Sequence, residues 1–386
     1  MNNFNFYNPV KILFGKGKIA EISKNIPKNA NILITYGGGS IKKNGILEQV
    51  KTALKGFSYF EFAGIEPNPS FETLMKAVEI VKDKNIDFLL AVGGGSVIDG
   101  TKFIAAASKY KGECAYDICS KQASITEAIP LATVLTLPAT GSEMNANAVV
   151  TRRETKEKFA FYSSLIMPQF SVLDPEATYS LPKRQLANGV VDAFIHVLEQ
   201  YLTYNTNSPV QDYMAEGILK TLIKEGKMPL SMDVPDYDNR ANIMWAATMA
   251  LNGLLSCGVV TDWSTHKIGH ELTALHGVDH AASLAIVLPA VIDIVRVERK
   301  EKLLQYARNV WDISGKDENI IIDILIEKTN SFFNSLGIKS RLSDYNISVT
   351  DVDFIVKRFE GRDTNSIGNL TDVKVTNLRN ILMSRL

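Results

Sequence analysis

The chain lacks net charge: Lys+Arg and Asp+Glu number 42 each in 386 residues. Without a basic field there is nothing to draw a phosphate backbone, which argues against a nucleic-acid partner. Long apolar runs are also missing. A membrane span needs roughly 20 such residues, and the greasiest stretch, around Ala285 to Val295, is broken by Pro289 and Asp293. The opening MNNFNFYNPVK does not have the basic-then-apolar layout of a secretory leader. Cysteine is scarce too, and Cys114, Cys119 and Cys257 cannot all pair with one another. The spacing of Cys114 and Cys119 would suit half of a metal site, but free thiols of a reducing compartment are expected, and with them a cytoplasmic protein.

What remains is a sizeable core: 46% of residues are hydrophobic and 22% charged, over a length that suits two domains. From Asn31 to about Leu173, short β-rich runs alternate with amphipathic helical patterns. NILITYG (31–37), FSYFEF (57–62), IDFLLAVGGGS (86–96), IPLATVLTLP (129–138) and SVLDP (171–175) read as strands. Helices are expected from Ile41 to Leu54, from Phe71 to Lys84, and after the third strand through Ala107. Such alternation predicts a parallel sheet covered on both faces. VVTRRETKEKFAFY (149–162) interrupts the rhythm and reads as a hairpin laid on the sheet edge. Ser180-Leu181-Pro182 then marks a helix start, and helical periodicity runs to Leu386. The expectation is a Rossmann-like α/β domain over residues 1–180 and an all-helical domain over 181–386.

Histidine is rare and uneven. Of five in the chain, His266, His270, His276 and His280 fall between Thr265 and Pro289, and His196 follows Asp192 by four residues. Residues at i and i+4 share one helix face, so Asp192 with His196, and His266 with His270, present paired donors. Imidazoles with one carboxylate suit Zn²⁺ or Fe²⁺. Asp192, His196, His266 and His280 are therefore the candidate ligands, and His270 is expected close enough to handle protons. His276, alone in a loop, reads as structural, and Trp263 and Leu254 as core packing. His270-Glu271 has no second histidine at the HExxH position, so the zinc-peptidase motif is absent.

Glycine marks a second kind of site. Val92-Gly93-Gly94-Gly95-Ser96 stands where a buried strand gives way to a helix, and such a turn lets backbone approach a pyrophosphate at a helix N-terminus. The spacing is not GxGxxG. A second GGGS, Gly37 to Ser40, is followed by Lys42 and Lys43. Many NAD binders place a carboxylate near the end of a strand to hold the ribose 2′-hydroxyl. Gly, Ser and Lys stand here instead, which favours a 2′-phosphate and NADP. TLPATGSE (136–143) supplies a third polar turn, and all three are expected along one edge of the sheet.

These motifs together resemble the iron-containing (group III) alcohol dehydrogenases. The resemblance rests on GGGSVID (93–99), TLPATGSE (136–143), D-x3-H at Asp192/His196 and H-x3-H-x9-H at His266/His270/His280, and it extends to the opening FYNPVKILFGKG. YGGGSIKKNG, GIEPNPS, ANGVVDAF and MWAAT are similar to the NADPH-dependent aldehyde reductase and butanol dehydrogenase branch. The resemblance implies four metal ligands at Asp192, His196, His266 and His280, and a histidine beside nicotinamide and substrate at His270. It implies an adenosine 2′-phosphate turn at Gly38, Gly39 and Ser40, and a pyrophosphate turn at Gly94, Gly95 and Ser96 with Asp99. Further cofactor contacts are implied at Thr136, Ser142, Asn147 and Lys158. It also implies a dimer with both ligands between an α/β and a helical domain, and reversible NADPH-dependent reduction of short- to medium-chain aldehydes. A dehydroquinate-synthase-type lyase using NAD and zinc is the runner-up; it calls for a basic pocket and a glutamate where Asp192 stands, and neither is present. A metal-dependent hydrolase or a nucleotide-binding regulator would be the reading from another class.

Overall fold

In the computed structural model, which describes residues 1–362 and 364–386, eight strands form as β1 (Lys11–Phe14), β2 (Asn31–Tyr36), β3 (Ser58–Phe62), β4 (Phe88–Gly94), β5 (Leu131–Leu137), β6 (Asn147–Arg152), β7 (Glu157–Tyr162) and β8 (Phe170–Leu173). Between them run helices α1 (Ser40–Lys43), α2 (Ile46–Ala53), α3 (Phe71–Asp83), α4 (Gly95–Ala107) and α5 (Asp117–Ser120). Six strands pair in the order β1-β8-β5-β4-β2-β3, every pairing parallel.

Alternate residues of the central strands face opposite layers, as the period of two requires. Leu33, Leu89, Ala91, Leu131 and Leu135 pack with Leu74 and Val78 of α3 and with Phe103 and Ile104 of α4. Ile32, Ile34, Leu90, Val92, Val134 and Val172 pack on the other face with Ile46, Leu47 and Val50 of α2. Both faces are dry, which is why these strands read as continuous apolar runs rather than alternating ones. The chain moves outward from β2 to β3, then crosses back to β4 and on to β5 and β8. The order therefore reverses between β2 and β4, the position where ligands of open α/β sheets bind.

Three local expectations are corrected. The hairpin β6–β7 is a two-stranded antiparallel sheet of its own, not an edge of the main one, and β6 packs on α4. The helix foreseen over 41–54 is two, parted at Gly45, whose φ of 81° is left-handed. The main sheet also gains β1, a four-residue strand beside β8 that carries no periodic signal of its own.

The rest of the chain is helical: α6 (Lys183–Tyr201), α7 (Pro209–Gly226), α8 (Met228–Ser231), α9 (Tyr237–Ala250), α10 (Ser264–His276), α11 (His280–Ile294), α12 (Lys300–Trp311), α13 (Glu318–Ser335), α14 (Val349–Glu360) and α15 (Leu378–Met383). One compact unit consists of Tyr7–Pro182 with Pro235–Thr248, so α9 groups largely with the α/β part; the other consists of Met1–Phe6, Lys183–Val234 and Met249–Leu386. Within the helical unit α11 packs on α6, α10, α13 and α15. It is buried from Ala281 to Ile292 despite Pro289 in its interior. Proline removes the ladder N–H that would serve the Ala285 carbonyl, and the next carbonyl, that of Ile286, accepts from Arg385 Nε at 2.9 Å. Among the described residues no helix is long and apolar enough to cross a membrane.

Candidate metal centre

The helical unit gathers its scarce histidines around one carboxylate. α6 is buried continuously from Gly189 to Tyr201, so Asp192 and His196 project from a helix with no solvated face at that level. α10 carries His266 and His270, ends at Gly277 in the left-handed region (φ 66°), and hands over through a short turn to α11, which opens with His280. Asp192 Oδ1 stands 3.6 Å from His196 Nε2, 3.8 Å from His266 Nε2 and 3.5 Å from His280 Nε2. Four ligands set tetrahedrally at roughly 2.0–2.1 Å around one ion lie about 3.4 Å apart. The observed separations are close to that figure.

Two further observations fit an ion at this point. Asp192, His196 and His266 are all buried and offer ligand atoms within 4.8 Å of one another. His266 Nε2 is buried with no hydrogen-bond partner, a state that is costly for a polar atom unless something binds it. Burial alone would pull the His266 pKa down, but the Glu199 carboxylate, seconded by Asp192, outweighs it and lifts the group to about 9. A proton and a divalent ion answer the same surplus of acceptors. Donors of this kind, nitrogen with a single carboxylate oxygen, suit Zn²⁺ or Fe²⁺ rather than Mg²⁺ or Ca²⁺.

His270 lies one turn beyond His266, its ring centroid 5.4 Å from that of His280 and 6.2 Å from that of His266. His276 occupies the last position of α10 rather than a loop, and is not part of the ligand grouping. Trp263 packs against the cluster: its ring lies 5.4 Å from His266 and 6.2 Å from His196, edge-on or tilted to both. Sequence reasoning overlooked Glu199, whose carboxylate contacts His266 Nδ1. The signal was present, since Glu199 follows Asp192 by seven residues and His196 by three, on one helix face.

In the α/β unit the three polar turns stand at the carboxyl ends of β2, β4 and β5, which are neighbours in the sheet. Gly38, Gly39 and Ser40 follow β2, and Gly39 has a φ of 96° with open space where a Cβ would point. Gly94 closes β4 and Gly95 opens α4. A Cβ on Gly95 would fall 2.5 Å from Thr140 of the TLPATGSE turn, and one on Gly94 2.9 Å from Leu137. The glycines are what allow the two turns to approach so closely.

The other expected cofactor residues surround the start of α4. Asp99 accepts from Ser142 Oγ at 2.6 Å and from the Val149 N–H at 3.0 Å, so the Asp99–Ser142 pair links α4 to the turn and to the hairpin. Ser96 Oγ accepts the Asn68 N–H at 3.2 Å, and Lys158 Nζ donates to Asn68 Oδ1 at 2.8 Å. Thr136 is buried near the end of β5, and Asn147 is exposed at the start of β6. Lys102, which drew no notice in the sequence, is wholly buried one turn after Asp99. Its ammonium donates to Asn145 O at 2.9 Å, Asn145 Oδ1 at 3.0 Å and Asn147 O at 2.8 Å. Burial pulls its pKa to about 8 against the pull of Asp99 and Glu143. All three cysteines are free.

Family comparison decides the class. The model described as iron-containing alcohol dehydrogenase matches residues 9–175, and its C-terminal counterpart, Fe-containing alcohol dehydrogenase family, C-terminal, matches residues 186–386. The chain belongs to the iron-containing alcohol dehydrogenase family. It is 52% identical to the NADPH-dependent aldehyde reductase YqhD of Escherichia coli over 99% of both chains. A crystal structure of that E. coli protein superposes with a TM-score of 0.97 at 51% identity, covering 100% of this chain and 99% of the other. It is also 44% identical, over 93% of each, to a probable NADH-dependent butanol dehydrogenase 1 of Bacillus subtilis. Family membership makes the protein an oxidoreductase of the metal-dependent alcohol dehydrogenase and aldehyde reductase class.

Proposed function

We propose that the protein catalyses the NADPH-dependent, reversible reduction of short- to medium-chain aldehydes to primary alcohols, with one Zn²⁺ or Fe²⁺ held by Asp192, His196, His266 and His280. The observation that carries this reading is the approach of three imidazole Nε2 atoms to a single carboxylate oxygen at 3.5–3.8 Å. Similarity to an E. coli protein named as an NADPH-dependent aldehyde reductase supports the choice of substrate and cofactor. When bound, the ion supplies Lewis-acid polarisation of the carbonyl and NADPH supplies the hydride.

The chain's own residues bind, orient and move the proton. Gly94, Gly95 and Ser96, at the N-terminus of α4, offer backbone N–H groups to the pyrophosphate. Gly38, Gly39 and Ser40 take the 2′-phosphate, in a turn that holds no carboxylate to repel it. Asp99, Thr136, Ser142, Asn147 and Lys158 line and brace the same region, Asp99 and Ser142 by bonding to one another. His270, next to His266 and His280, passes a proton to the reduced carbonyl oxygen through its imidazole. The dinucleotide belongs to residues 1–180 and the metal and substrate to 181–386, in a cytoplasmic homodimer; membership of the family supports that assembly.

The test is the loss of NADPH absorbance with butyraldehyde, run against NADH and with a chelator. Oxidation of NADPH in step with butanol formation, faster than that of NADH, abolished by the chelator and restored by Zn²⁺ or Fe²⁺, is expected. Indifference to the chelator, or a preference for NADH, contradicts the corresponding part of the reading.

A further inference from the structure

We propose that Glu199 is a positioning residue of the metal centre: it holds His266 in the one tautomer whose Nε2 is free to coordinate. This rests on reading Asp192, His196, His266 and His280 as the ligands. Glu199 is buried on α6, and each of its oxygens meets one N–H donor. Oε1 accepts the backbone N–H of Thr265 at 2.7 Å, and Oε2 contacts His266 Nδ1. With an ion on Nε2 the imidazole keeps its one N–H at Nδ1, and Glu199 Oε2 is the acceptor that this N–H meets. A neutral imidazole protonated at Nδ1 carries its lone pair on Nε2, the buried atom that has no hydrogen-bond partner and faces Asp192 Oδ1 from 3.8 Å.

The same residue also fixes where the ring stands. The backbone carbonyl of Glu199 accepts the Asp262 N–H at 2.9 Å, and its side chain holds Thr265, so α6 fixes both the approach to α10 and its first turn, just before His266. Glutamine has the same shape and fails on chemistry. It offers one acceptor and one NH₂, while two N–H groups need acceptors here. If its oxygen serves Thr265, its NH₂ faces Nδ1 and drives the proton to Nε2, where it blocks coordination. If its oxygen serves Nδ1, NH₂ meets the Thr265 N–H and the start of α10 is pushed away.

The experiment compares full-length wild type, Glu199→Gln, Glu199→Asp and His280→Ala. Zn²⁺ affinity is read by competition with a chromophoric chelator, the Co²⁺-substituted absorption spectrum is recorded, and the Tm of each metal-free protein is measured. Glu199→Gln is expected to lose about 10–100-fold in Zn²⁺ affinity, the usual scale for a carboxylate behind a ligating histidine, and to show a changed Co²⁺ spectrum. Glu199→Asp keeps two acceptors on a stem one methylene shorter, and is expected to lose affinity by a smaller factor. It carries the test if Glu199→Gln does not fold. Unchanged affinity and spectrum in both variants, while His280→Ala loses metal, overturns the role of Glu199 and leaves the ligand set standing. A lower metal-free Tm with wild-type affinity, the mark of a merely structural residue, overturns it equally. Wild type that takes up no metal overturns both.

Discussion

In the helical unit the donor atoms belong to side chains: one carboxylate and three imidazoles that reach a common point from α6, α10 and α11. In the α/β unit the proposed cofactor site would draw on the backbone, at turns where Gly39, Gly94 and Gly95 leave room that a side chain would fill. A side-chain site depends on residue type and tolerates little chemical change, yet losing one ligand need not disturb the packing beneath it. A backbone site depends on shape, and a single methyl group in the wrong place moves the frame itself. Each kind of site therefore has its own way of failing.

The largest expected effect is on the side-chain site. His280 is the most open of the four proposed ligands, with 24% of its side chain exposed, so His280→Ala removes a donor without opening a large cavity. Activity is expected to fall by on the order of 10²–10³ or more, the scale of losing a group that stabilises a developing oxyanion. The Tm of the metal-free protein should hardly move. A large fall in that Tm would show that the two sites fail alike, and the contrast would be gone.

Gly95→Ala asks the converse. A Cβ there would sit 2.5 Å from Thr140, and relieving such a contact costs about 1–3 kcal/mol. Urea unfolding should record that loss, KM for NADPH should rise, and metal content should stay at the wild-type level. A variant with wild-type stability and KM would mean that the turns have slack. Gly39→Asp is gentler: nothing lies within 4 Å of its Cβ, although φ is 96°. The added carboxylate repels a 2′-phosphate by about 1 kcal/mol per charge pair near 4 Å in water. The ratio of kcat/KM for NADPH over NADH should therefore drop several-fold, and an unchanged ratio would displace the 2′-phosphate from this turn.

The smallest effect concerns Lys102, whose ammonium holds Asn145 and Asn147 just after the TLPATGSE turn. Burial lowers its pKa to about 8 from the ordinary 10.5, with Asp99 and Glu143 opposing. Between these values the unfolded chain binds more protons than the folded one, so this lysine's contribution to stability rises with pH across that window. Wild type should gain on Lys102→Met when urea unfolding is repeated at about pH 7.5 and about pH 9.5. Parallel curves would mean that the ammonium is not held in a dry site.

The contrast also explains what could be read in advance. The gathering of Asp192, His196, His266 and His280 was legible because imidazole is rare in this chain and helical spacing is rigid. Strands β2, β4 and β5 were legible because burial on both faces makes them almost entirely apolar or β-branched. β1 was not: KILF is four residues long and takes its place only by pairing with β8, a contact some 160 positions away in the chain. The hairpin was seen, but not its separation from the main sheet, since polar alternation looks the same at an edge and in a free ribbon. Glu199 and Lys102 went unremarked because charged residues on helices are usually solvated, and only packing reveals that these two are enclosed.

Elemental analysis of protein purified without added metal tests the central claim most directly, with Asp192→Ala measured beside wild type. Close to one equivalent of zinc or iron per wild-type chain, and almost none in the variant, is the predicted result. Equal metal in both, or none in an active wild type, would contradict it.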